Sequence, residues 1–176
     1  MFKQKFSAKS LTLAGAVAVG LATSPGTNAA TATANLSVTA TVSANCIIST
    51  APVAFGAYDP VFTNHTTALA GSGTVSVTCT SGASAKVTLG EGLHATGAST
   101  PAAPARQMND GGTNNLTYSL YSDNLLSVVW GNTAGTGVDH TGTGLNTDLT
   151  VYGSVDAGQN VPSGSYADTV VATVTF

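Results

Sequence analysis

The sequence predicts an all-β fold, a β-sandwich, and three observations carry that prediction. Only 7% of the 176 residues are charged while 43% are hydrophobic, where an ordinary soluble domain carries about 25% Asp, Glu, Lys and Arg. Much of the remainder is small and polar, with 28 Thr, 17 Ser and 20 Gly. Stable exposed helices draw on Lys, Glu, Gln and Arg, yet beyond residue 30 there is one Lys (Lys86), one Arg (Arg106) and one Glu (Glu91). Apolar residues then recur at every second position in short runs, with no sustained helical period. One domain is expected, without internal repeats.

Residues 1–30 read as an export signal. Lys3, Lys5 and Lys9 form a basic start, residues 11–22 are uncharged and mostly apolar, and the small residues Ala29 and Ala30 suit cleavage, with Ala32 as an alternative site. The apolar run is too short to cross a bilayer, which takes about 20 residues. An exported protein is therefore expected, with no direct membrane insertion.

Beyond the signal, even positions give Ala32, Ala34, Leu36, Val38, Ala40 and Val42, while odd positions are Thr, Ser or Asn. This period-2 alternation describes a strand of about 36 Å at about 3.3 Å per residue, longer than the usual five or six residues. Two readings stand: a first edge strand of the protein's own sheet, or a strand given to another molecule.

Further strands are expected at 73–80 (Val75, Val77 and Cys79 on one face), 85–90 (Val87, Leu89), 115–122 (Leu116, Tyr118, Leu120), 127–130, 148–155 and 166–176. Gly71-Ser72-Gly73, Asp110-Gly111-Gly112, the Gly-rich run 131–144 and Pro162-Ser163-Gly164 supply turns between them. Six or seven short strands suit a sandwich. The final strand places Tyr166, Asp168, Val170, Ala172, Val174 and Phe176 on one face, and the sequence stops there. An immunoglobulin-like sandwich normally adds one more strand. Its absence would leave an apolar groove with unpaired backbone.

Two cysteines in an exported chain read as one disulfide, Cys46 to Cys79. His65, His94 and His140 lie in Gly/Thr-rich stretches without a metal-ligand spacing and are expected as surface loop residues. No metal and no cofactor is expected. Beyond residue 30 the chain has two basic residues against eight acidic ones, so nucleic acid is a poor partner. Enzyme signatures are missing as well: there is no Gly-x-Ser-x-Gly elbow and no His-Glu-x-x-His. Asp139-His140 lacks anything nearby to hold the imidazole as part of a triad, and a non-enzymatic role is expected. Tyr58, Tyr121, Tyr152 and Trp130 offer an alternative, a sugar-binding aromatic platform.

Taken in order, several segments resemble the spore coat protein U domain, shared by subunits of archaic (Csu-type) chaperone-usher pili. They are Cys46, Phe55-Gly56-Ala57-Tyr58-Asp59-Pro60, Gly73-Thr74-Val75-Ser76-Val77-Thr78-Cys79-Thr80 and Arg106-Gln107-Met108. Leu120-Tyr121-Ser122-Asp123, Val129-Trp130-Gly131, Val151-Tyr152-Gly153, Gln159 and Gly164-Ser165-Tyr166-Ala167-Asp168-Thr169-Val170 continue the series. The resemblance implies an incomplete immunoglobulin-like β-sandwich completed by a donor strand from another subunit, with residues 31–45 as the donor extension and 46–176 as the domain. Leu36, Val38, Ala40 and Val42 would be the donor side chains. Val170, Ala172, Val174 and Phe176 would line the acceptor groove, and Cys46 with Cys79 would tie the first strand to the second. The implied partners are identical or related pilin subunits, a periplasmic chaperone and an outer-membrane usher. Export through the periplasm to a surface pilus or extracellular coat follows, with roles in adhesion and biofilm formation. A single domain with a donor-like strand resembles a shaft or adaptor subunit more than a tip adhesin.

Overall fold

The computed structural model describes residue 26 and residues 29–176, so the signal expected over 1–30 lies almost wholly outside the described residues. The chain divides into two compact units, the first ending at Ala40 and the second running Thr41–Phe176. The described part of the first unit contains no strand or helix, and Leu36 and Val38 are 87% and 85% exposed. In the second unit, residues 41–45 are likewise outside any strand. The alternating segment is therefore not an edge strand of this chain's own sheets. Alternation prescribes two faces, but a strand forms only where a neighbouring edge supplies hydrogen-bond partners.

Eight strands make up the second unit: β1 (Cys46–Ala54), β2 (Leu69–Cys79), β3 (Ser84–Leu89), β4 (Arg106–Asn109), β5 (Asn115–Tyr121), β6 (Val138–Thr141), β7 (Asn146–Val155) and β8 (Ala172–Thr175). All pairings are antiparallel. One sheet has the order β1-β2-β7-β5-β4 and the other β6-β3-β8. The inward positions foreseen from alternation, Val75, Val77, Leu116, Tyr118 and Leu120 in the larger sheet and Val87 and Leu89 in the smaller one, lie in the shared core, where Val151, Val155 and Ala85 join them. Cys46 stands opposite Cys79 in the β1–β2 register, and the two form the expected disulfide.

Three strands arise where alternation gave no signal. β1 contains Pro52 and is mostly exposed, so its sequence lacks a clear two-face pattern. β4 and β6 are four residues each, and β6 lies inside the Gly-rich run expected as loop. Two expected strands shrink. Residues 127–130 make only an isolated bridge, Tyr121 with Val129. The Asp123 carboxylate accepts the N–H groups of Ser127 and Val128 at 3.0 and 2.7 Å, which folds the segment into a tight loop. The expected strand 166–176 is regular only over Ala172–Thr175, although Tyr166, Asp168, Val170, Ala172 and Val174 do share the less exposed face. Its first half crosses between sheets: Ala167 bridges Asn109 of β4, while β8 pairs with β3.

His140 departs from expectation, and the aromatic residues bear on the sugar-binding alternative. Trp130 is 1% exposed, its indole N–H donating to the Val87 carbonyl at 2.9 Å, so it belongs to the core. His140 is buried on β6 opposite Ala85, where a surface histidine was expected; its position on a strand's inward face explains this. Tyr58 donates to the carbonyls of Asn64 and Asp156, leaving Tyr121 and Tyr152 as register neighbours on β5 and β7. The four aromatic residues form no common platform.

Candidate functional site

Each sheet ends in a strand with one neighbour. β1 pairs only with β2, and β8 only with β3. Between them lies a cleft of about 400 Å³. Its wall on one side is β1 at residues 50–53; on the other it is Val170 and Ala172. The bottom is the sandwich interior itself, with Val75, Val151, Leu120, Tyr118 and Leu89 contributing. Core side chains thus line an opening flanked by two strand edges with backbone groups free to pair.

The expected groove residues divide along this cleft. Val170 and Ala172 line it, Val174 packs on the core opposite Val87, and Phe176 is 55% exposed. The expected donor residues Leu36, Val38 and Val42 are 87%, 85% and 82% exposed, and Ala40 is exposed as well. Alternation did not reveal the β1 wall, nor Phe55 and Met108. One signal was available for Phe55. Gly71 of β2 and Gly153 of β7 are register partners, and a Cβ on either would come within 2.7 Å of the Phe55 ring. Two facing glycines mark a place where another group lies directly on bare backbone. From that seat the ring meets Tyr118 edge-on, with centroids 6.0 Å apart.

A second cavity of about 620 Å³ adjoins the first and shares Val53, Phe55, Met108 and Tyr166 with it. Val161, Leu69, Leu116 and Val155 add to its apolar lining.

Asp168 is the single charged residue lining the first cleft. Its side chain is 2% exposed. The Tyr118 hydroxyl donates to it at 2.6 Å, the Leu93 N–H at 2.9 Å, and His94 Nδ1 lies at 3.2 Å. Burial, and then this bond, push the Tyr118 hydroxyl far above its ordinary value, so it stays a donor. Arg106 is fully buried nearby: its Nε and Nη2 donate to the carbonyls of Leu89, Gly90 and Trp130 at 2.7–3.0 Å. Burial draws its guanidinium below the usual range, opposed by the nearby Asp168 and Glu91 carboxylates. Among the described residues, no cluster of three or more His, Cys, Asp or Glu is placed to hold a metal ion.

The crystal structure of the CsuC–CsuE chaperone–tip adhesion subunit pre-assembly complex, from archaic chaperone-usher Csu pili of Acinetobacter baumannii, contains a chain of similar fold. It superposes with a TM-score of 0.55 at 18% identity, covering 77% of this chain. This chain spans only 40% of that one's length. The Escherichia coli Hda pilus minor tip subunit, HdaB, superposes at 0.36 with 19% identity over 74% of this chain and 79% of its own, too loosely to bear on the fold. Protein U of Myxococcus xanthus is 48% identical over 155 residues, which cover 84% of this chain and 87% of that protein. The model of the Spore Coat Protein U domain matches residues 32–173, nearly the whole of the described chain, and the protein belongs to that family.

Proposed function

We propose that the protein is a structural subunit of a surface fibre of the archaic chaperone-usher type, polymerising head to tail by donor-strand exchange. One observation carries this reading: two unpaired sheet edges face each other across an apolar cleft in a chain that also holds an exposed, alternating segment belonging to none of its own sheets. Leu36, Val38, Ala40 and Val42 of one copy enter the cleft between β1 and β8 of the next. Adding a strand there pairs both edges and covers the core side chains at once. Burying Leu36, Val38 and Val42 contributes roughly 1.5–3 kcal/mol each, and the new main-chain hydrogen bonds add to it. Because donor and acceptor lie on different surfaces, the contact is heterologous and extends into a fibre.

Before assembly the same cleft is an aggregation hazard, which is why a periplasmic chaperone fills it and an outer-membrane usher oversees the exchange. The product is a cell-surface pilus serving adhesion and biofilm formation, with this chain in a shaft or adaptor position. The match to the Spore Coat Protein U domain favours a second setting, an extracellular coat built by the same strand exchange.

Leu36→Asp and Val38→Asp test the reading, since either puts a carboxylate into the neighbour's apolar cleft at a cost of several kcal/mol. Both variants should fold on the chaperone as the wild type does and fail to form SDS-resistant polymers on unheated gels. Normal polymers would refute exchange through these residues. Loss of the chaperone complex would instead place Leu36 and Val38 in the subunit's own core.

A further inference from the structure

The segment leading into β8 does two things within a few residues. Ala167 bridges Asn109 in the larger sheet, and from Ala172 the chain pairs with β3 in the smaller one. Residues 167–171 therefore span from sheet to sheet along one rim of the cleft, contributing Asp168, Thr169 and Val170 to its lining. No regular ladder holds this stretch. Its ends are held by two backbone bonds between Ala167 and Asn109, at 2.9 and 3.0 Å, and by the Gly90 N–H donating to the Val171 carbonyl at 2.8 Å, and between them the Asp168 side chain is the further anchor.

That carboxylate is buried and faces two elements together: β5 through Tyr118, and the loop after β3 through Leu93 and His94. Gly92 has φ +89°, and a side chain there would collide with Asp168 Oδ2, so the loop is shaped around the carboxylate. The same loop is gripped from its other end by Arg106, through the carbonyls of Leu89 and Gly90. Burying a carboxylate is costly unless hydrogen bonds compensate it, and here a hydroxyl and a backbone N–H do so, which fixes its position.

We propose that Asp168 is the positioning residue of the acceptor cleft, pinning the sheet-to-sheet crossover so that the rim formed by residues 167–171 is held in place before a donor strand arrives. The proposal rests on reading the cleft as a strand acceptor. A rim held in place beforehand spares the incoming strand the entropy of ordering it. Tyr118 acts with Asp168, as both a bottom residue of the cleft and the donor of the shortest of these bonds.

The test refolds the exported full chain with a labelled peptide of residues 31–43 and chases it with unlabelled peptide. Asp168→Ala and Tyr118→Phe should each shorten the peptide's half-life on the protein about tenfold, as loss of a charge-assisted bond implies. Asp168→Asn keeps a carbonyl to accept from Tyr118 or Leu93 and should recover part of the loss. A residue that only held the fold would lower the melting temperature and leave the half-life unchanged; that result overturns the proposal. So does a wild-type half-life in Asp168→Ala and Tyr118→Phe. If Asp168→Ala does not fold, Tyr118→Phe decides alone. A wild-type chain that captures no peptide overturns the acceptor reading, and the proposal with it.

Discussion

The two seams where the sheets meet are built in opposite ways. On the β4–β5 side, residues 130–131 lace the sheets together: Trp130 N–H donates to the Leu120 carbonyl, Leu89 N–H to the Gly131 carbonyl, and the Trp130 indole to Val87. Arg106 adds bonds to three carbonyls across the same gap. On the β1–β8 side nothing comparable spans the gap, and a cleft lined by core side chains stands in its place. Apolar packing alone does not decide which seam closes; polar groups with partners in both sheets do.

Filling the open seam should give the largest response. A flexible linker and a second copy of residues 31–43 placed after Phe176 should stabilise the chain by about 5 kcal/mol. For a domain of this size that raises the melting temperature by about 10–20 °C. Coincident melts of plain and extended chains, both monomeric, would mean that the seam needs no strand. The closed seam should answer to loss of its polar groups. Arg106→Met leaves the Leu89, Gly90 and Trp130 carbonyls without this donor, and destabilisation of about 3 kcal/mol is expected by denaturant titration. Arg106 stands opposite Tyr118 and bonds the Leu89 carbonyl, both residues that line the cleft, so the loss should differ with and without the added strand; an identical loss would show the two seams to be independent. Lys86→Met should do least. Its 2.7 Å ion pair with Asp139 lies on the surface, the Asp139 side chain being 85% exposed, so a change under about 1 kcal/mol is expected in the same titration.

The closed seam was the harder one to read. Alternation placed β2, β3, β5 and β7 within a few residues because each buries one face of several consecutive positions. It says nothing about a segment fixed by side chain to backbone bonds, such as 123–128 around Asp123, or about Trp130 bonding to a strand forty-three residues away. The Ala172–Thr175 strand was legible, whereas the crossover before it was not, since Asp168 on an otherwise apolar face looked like one more inward position. The wall from β1 escaped for a different reason. An edge strand exposed along most of its length has little hydrophobic pattern to show.

The disulfide gains a mechanical meaning in a fibre assembled as proposed. Tension applied along such a fibre enters each subunit through residues 41–45, directly before Cys46. Without a crosslink it would next peel β1 from β2 one hydrogen bond at a time, from the Cys46 end where the ladder begins. The covalent bond to Cys79 diverts the load at the first residue of β1 to the last residue of β2. β2 is paired on both sides, to β1 and to β7 over ten register positions from Leu69 to Thr78. A pull on β2 shears those bonds together instead of opening them in sequence. The pull arriving through residues 41–45 thereby bypasses β1 and does not unzip the strand that walls the cleft.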